Sequence, residues 1–125
     1  MKTRLATTLV LALCALGALV AVVSSALAAD CARHPSAAVT RSMRSAVHER
    51  LCFQRNAWVS GKDRHYGLII TQVACGGSHY EHWWLHRKRL SASALWTILD
   101  ERRGTIDRRA GCTRAKRVPA DIRCK

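Results

Sequence analysis

Acidic residues are scarce in this chain: eight Asp+Glu stand against 21 Lys+Arg in 125 residues, a formal net charge of +13. There is no Cys-x-x-Cys pair, which excludes a zinc knuckle and a thioredoxin-type redox motif, and no Cys-x-x-Cys-His, which excludes a c-type haem site. No Gly-x-Ser-x-Gly elbow is present, so a Ser-His-Asp hydrolase has no support. No internal repeat or low-complexity stretch follows the first thirty residues. The length excludes a multi-domain enzyme, a Rossmann fold and a (β/α) barrel. An apolar fraction of 49% excludes intrinsic disorder. What is left is a small, basic domain with six cysteines, a number that suits an exported protein better than a cytosolic one.

The first segment lacks charge almost entirely. Lys2 and Arg4 precede an uncharged run over residues 5–23, and Ala26-Leu27-Ala28 supplies small residues at its exit. This is the pattern of a secretory signal peptide over residues 1–28, followed by a single secreted domain over residues 29–125. The alternative is an N-terminal membrane anchor, because the apolar run is long enough to span a bilayer. Asp30 before Cys31 argues against lipid attachment at that cysteine. Cleavage after Ala28 leaves 97 residues with 19 basic and eight acidic side chains, a mature charge of +11.

Five cysteines then remain: Cys31, Cys52, Cys75, Cys112 and Cys124. Cys112 and Cys124 enclose a short loop containing Pro119 and form the best disulfide candidate. Cys52 and Cys75 form a second. An odd count leaves one thiol free or paired between chains.

Periodicity organises the rest. Val39, Met43, Ala46, Val47 and Leu51 recur at helical spacing, so residues 36–51 read as an amphipathic helix begun by Pro35 and Ser36, with Arg41, Arg44 and His48 opposite. Residues 57–60 suggest a short strand, residues 61–64 a turn, and residues 66–75 the clearest strand, ending at Gly76-Gly77. Residues 79–89 fit a strand returning across that turn, with Trp83 and Leu85 on one face. They also fit a helix capped at Ser78 with Glu81 three residues on. Residues 95–99 carry the same ambiguity, and strand is preferred for both. The tail from Gly111 reads as a basic, disulfide-closed segment with a short helical turn. The expected fold is α+β: an N-terminal helix packed on one face of a small antiparallel β-meander, stapled by disulfides.

Several of these segments carry a likeness. They are the helix over 39–51, then Asp63-Arg64-His65 before Tyr66-Gly67-Leu68-Ile69-Ile70-Thr71-Gln72-Val73. Leu85-His86-Arg87-Lys88 and Trp96-Thr97-Ile98-Leu99-Asp100 follow, and Gly111-Cys112 with Val118-Pro119-Ala120-Asp121-Ile122-Arg123-Cys124 closes the chain. With these the chain resembles a loose group of small secreted actinobacterial proteins of unknown function. The resemblance implies the helix-plus-meander fold and no activity. The His- and Trp-rich third strand and Ser91-Ala92-Ser93-Ala94 depart from the group's pattern.

Three constellations could carry chemistry. On a helix, His79, His82 and His86 would share a face and could hold a metal. On a strand they cannot, so no metal and no cofactor is expected. His65 with His79, His82 or Glu81 could act as general acid and base beside cations, as in a secreted nuclease. Arg87, Lys88, Arg89, Arg102 and Arg103 form the candidate anion-binding set, extended by Arg108, Arg109, Arg114, Lys116 and Arg117, with Trp83, Trp84 and Trp96 available for stacking. The leading expectation is a non-enzymatic secreted domain binding an anionic cell-wall polymer, a lipid headgroup or extracellular nucleic acid. A small His-based hydrolase is the alternative, and an inhibitor of a secreted enzyme is third.

Overall fold

A computed structural model describes residues 31–47, 54–72, 78–105 and 111–125. Helix α1 (Ala37–Ala46) is followed by four strands, β1 (Gln54–Val59), β2 (Tyr66–Gln72), β3 (His79–Arg87) and β4 (Trp96–Thr105), and by a short helix α2 (Ala120–Arg123). The strands form one antiparallel sheet in the order β1-β2-β3-β4. Both ambiguous segments are therefore strands, as preferred. The Gly76-Gly77 turn, His48, Leu51 and the expected signal peptide lie outside the described residues.

Ser36 caps α1 through its Oγ, which accepts from the Val39 N–H at 3.3 Å. The helix is shorter than its apolar spacing suggests. It closes at Val47, whose N–H turns back to the Arg44 carbonyl at 3.1 Å. Val39, Met43 and Val47 fall at i, i+4 and i+8, and Met43 and Val47 share a buried cluster with Ala57, Ile69, Trp83, Leu85 and Trp96.

The expectation of one buried sheet face needs correction. A second cluster on the opposite face joins Leu68, Ile70 and Trp84 to Val118 and Ile122 of the tail. The centre of the sheet is thus covered twice. This is why β2 and β3 each carry five consecutive buried residues instead of an alternating pattern. Trp84, fully buried, donates through Nε1 to the Ile122 carbonyl at 2.8 Å, so the tail is fixed to the sheet by a hydrogen bond as well as by packing. The Cys112–Cys124 disulfide closes the loop that carries both tail residues.

Two further links bind the tail. Asp121 accepts from Ser60 Oγ at 2.7 Å and from the Gly61 N–H at 2.8 Å, joining α2 to the β1–β2 turn. Asp100 on β4 accepts from Thr113 Oγ1 at 2.6 Å and from the Arg114 N–H at 3.0 Å. A β-bulge makes the second link possible. Trp84 pairs with Asp100 but Leu85 pairs with Ile98, so Leu99 is the extra residue and Asp100 turns to the tail's face.

Candidate functional site

The parity of β3 sorts its side chains. Trp83 and Leu85 lie in the cluster that contains Met43, and Trp84 and Tyr80 pack with the tail. Glu81 follows Trp83 and Leu85, whereas His82 follows Trp84. The three histidines therefore do not share a helical face, and the metal arrangement that needed one does not form. Among the described residues no group of three or more His, Cys, Asp or Glu side chains is placed to hold a metal ion.

The tryptophans are also placed differently from the stacking expectation. Trp83, Trp84 and Trp96 are all buried. Their indole N–H groups donate inward, to Thr71 Oγ1 at 2.9 Å, to the Ile122 carbonyl at 2.8 Å and to Ser42 Oγ at 3.3 Å. None of the three offers a face to a base or sugar; they build the core.

The acid–base set disperses. Tyr66 pairs with His86, so His65 sits beside the end of β3 that carries His86, while His79 pairs with Thr105 at the other end. Seven steps along the strand separate His79 from His86, about 23 Å. Glu81 is fully buried on the far face from His82 and binds Arg103 Nε through Oε1 at 2.6 Å. What does assemble is a cluster the sequence reading did not isolate. Asp63 Oδ1 accepts from the His65 backbone N–H at 3.0 Å and lies 2.8 Å from its Nδ1, with the His65 and His86 rings 6.3 Å apart. Burial works to raise the Asp63 pKa, but the hydrogen bonds from His65 and the fields of His65 and His86 outweigh it and hold the carboxyl below its usual value. The signal was present as Asp-x-His in a turn, where an Asp side chain reaches the N–H two residues on.

The five anion-binding candidates separate into three kinds. Arg87 is 5% exposed; its Nε donates to the Arg64 carbonyl and its Nη1 to the Ser91 carbonyl, and its guanidinium lies 4.7 Å from the Trp96 ring centroid. Arg102 and Arg103 project to opposite faces and each meets an acid, Asp100 at 3.7 Å and Glu81 at 2.6 Å. Lys88 and Arg89 alone of the five are exposed without a carboxylate partner among the described residues.

Lys88 and Arg89 begin the β3–β4 loop, which also exposes Leu90 (52%) and Leu95 (90%). An open groove of about 520 Å³ runs along this loop, bordered by Lys88, Arg89, Leu95 and Thr97. The loop is braced from behind. Ser42 Oγ on α1 donates to the Ala92 carbonyl at 2.8 Å, Arg87 holds the Ser91 carbonyl, and the Ala94 N–H closes a turn to Ser91. The two cations and two leucines are thus presented on a fixed support. Arg114, Lys116 and Arg117 are exposed on the disulfide-closed tail; Arg108 and Arg109 lie outside the described residues.

The Cys112–Cys124 bond is present as expected, and Cys31 is disulfide-bonded as well. Cys52 and Cys75 lie outside the described residues. Among the described residues no helix is long and apolar enough to cross a membrane. Comparison with known proteins gives no matching family model, no matching curated protein and no matching solved structure.

Proposed function

We propose that this chain is a secreted, disulfide-stapled, non-enzymatic domain that binds an anionic surface through its β3–β4 loop. In this reading residues 1–28 are a signal peptide and residues 29–125 the working domain, with its N-terminal helix lying on the sheet. The reading also keeps the chain beside the small secreted actinobacterial proteins it resembles. Disulfide bonding at Cys31, Cys112 and Cys124 supports an oxidising compartment.

The observation that carries the reading is the pairing of exposed Lys88 and Arg89 with exposed Leu90 and Leu95 on one braced loop. Cations are drawn to phosphate, and leucines bury favourably at the boundary of headgroups and acyl chains. Among cell-wall polymer, nucleic acid and lipid headgroup, this combination fits an anionic lipid surface best. Burial of Trp83, Trp84 and Trp96 takes away the stacking expected of those three rings on a nucleic acid.

The test is co-sedimentation with vesicles of phosphatidylglycerol mixed into phosphatidylcholine, against phosphatidylcholine alone. Binding is expected only to the anionic vesicles and is expected to weaken steeply as salt rises, since screening shortens the reach of the charges. Equal binding to neutral vesicles would contradict the proposal. A His-based hydrolase, the alternative, would instead show turnover of an anionic polymer that is lost on His65→Ala.

A further inference from the structure

On the sheet edge formed by β1, a second open pocket of about 400 Å³ lies beside the N-terminus of α1. Arg33, Arg64 and Arg87 line it together with Ser36, Val39 and Val59, and among the described residues no acidic side chain does. The chain is pinned around it: Arg33 and Val59 exchange both backbone hydrogen bonds, at 2.9 and 2.8 Å, and the Arg87 N–H donates to the His65 carbonyl at 2.9 Å.

Arg87 is the informative member. A guanidinium buried to this degree is normally paired with a carboxylate, because desolvating an unpaired charge is costly. Here its partners are two carbonyls and the face of Trp96, all neutral. Its Nη2 makes no hydrogen bond to the described residues. Its nearest ionic influence is a repulsive one: burial first and the Arg64 charge second press its pKa down. The side chain is therefore fixed in place, charged, and without a counter-ion among the described residues. The first turn of α1 contains no acidic residue, and its capping Ser36 borders the same pocket, so the positive end of the helix adds to the field of the three arginines. Val39 and Val59 add apolar lining to the same pocket.

We infer that this pocket binds a phosphate group as a dianion, gripped by Arg33, Arg64 and the Nη2 end of the preset Arg87 guanidinium, with the apolar side chains receiving a small organic substituent. Guanidinium forks match tetrahedral oxyanions with paired, charge-assisted hydrogen bonds. The site is separate from the β3–β4 loop surface and stands whether or not that loop binds lipid. Among the described residues, the Asp121 carboxylate accepts from two lining groups, the Ser60 hydroxyl and the Gly61 N–H, while Asp63 meets Ser60 only through its backbone N–H. The two donors spent on Asp121 leave the ligand to the arginines.

The experiment is isothermal titration of the purified protein with inorganic phosphate and with phenyl phosphate, in chloride buffer of fixed ionic strength, supported by thermal melts. Saturable one-to-one binding and a melting temperature that rises with ligand are expected. Tighter binding of phenyl phosphate than of phosphate would identify an ester as the source, and the reverse would identify the free ion. Arg33 and Arg64 are exposed, so Arg33→Gln and Arg64→Gln should fold normally and each lower affinity at least tenfold. Arg87→Lys keeps the charge, removes the fork, and is expected to do the same. Lys88→Ala with Arg89→Ala should leave phosphate affinity unchanged while weakening vesicle binding. No saturable binding, or an affinity untouched by Arg64→Gln, would overturn the inference.

Discussion

Asp121 does more for the molecule than a single carboxylate on a four-residue helix suggests. It is buried and it satisfies the Ser60 hydroxyl and the Gly61 N–H, while Ser60 Oγ in turn accepts from the Lys62 and Asp63 N–H groups. Replacing it by Ala strands the buried Ser60 hydroxyl and leaves the part-buried Gly61 N–H without this acceptor. Asp121→Ala is expected to cost about 3 kcal/mol, since each charge-assisted bond contributes about 1.5–3 kcal/mol and the unmet buried hydroxyl adds to the loss; urea denaturation measures it. Asp121→Asn, which keeps an acceptor, should cost less. At this scale the sequence was a poor guide. Arg87, Lys88 and Arg89 are consecutive and alike in composition, yet one is core and two are surface. The distinguishing sign was parity: Arg87 falls on the face of Leu85, two residues before it. In the same way Arg102 and Arg103 looked like one cluster and are divided by the pleat between two acids.

The sheet shows why helix and strand were hard to separate over residues 79–89. A strand covered on one face alternates, and alternation is its signature; a strand covered on both loses it. The covering tail is a distant, short segment whose Val118 and Ile122 gave no periodic signal. The strands themselves were legible from branched residues and turn glycines, and so was the start of α1 from Pro35 and Ser36. Its end was not, because Val47 continues the apolar spacing after the helix has closed. Gly67 has a role of the same kind. A Cβ there would come 2.7 Å from Met43 Cε and 3.2 Å from both the Trp58 carbonyl oxygen and the Trp96 ring. Met43 can move aside, but the backbone and the ring cannot move as readily. Gly67→Val is expected to destabilise by about 1–3 kcal/mol through overpacking. Removal of the disulfide by Cys112→Ser with Cys124→Ser is expected to cost about 3 kcal/mol in the chain-entropy account. Near-ultraviolet circular dichroism should register the loss in the tryptophan bands, because the same loop holds the Trp84 indole.

For the molecule as a whole, two carboxylates among the described residues contribute to its sensitivity to acid. Asp100 and Asp63 both have their pKa lowered in the folded state. At Asp100 burial opposes the shift and is outweighed by Thr113, by the Arg114 and Glu101 N–H groups and by the charge of Arg102. A carboxylate with a depressed folded pKa adds stability above its unfolded pKa of about 3.9, and that stability is lost as pH falls through the lower folded value. Stability should therefore drop below about pH 4. Asp100→Asn should be less stable at neutral pH and should show a shallower decline from pH 5 to 2, as read by thermal melts across that range.

The proposed function rests, at this scale, on where charge is left unneutralised. With the sheet covered on both faces and Arg87, Arg102 and Arg103 each held by a partner in the fold, Lys88 and Arg89 are the two of the five candidate cations left exposed without a carboxylate partner among the described residues, beside exposed leucines. Each cation close to an anionic bilayer contributes about 1 kcal/mol, so neutralising two should lose about 2 kcal/mol, roughly thirtyfold in affinity. The most direct measurement is the partition coefficient onto phosphatidylglycerol-containing vesicles for the unaltered protein, for Lys88→Ala with Arg89→Ala, and for His79→Ala. A loss of roughly thirtyfold in the double variant, with His79→Ala unchanged, is the predicted result. Equal partitioning of all three proteins would contradict the account.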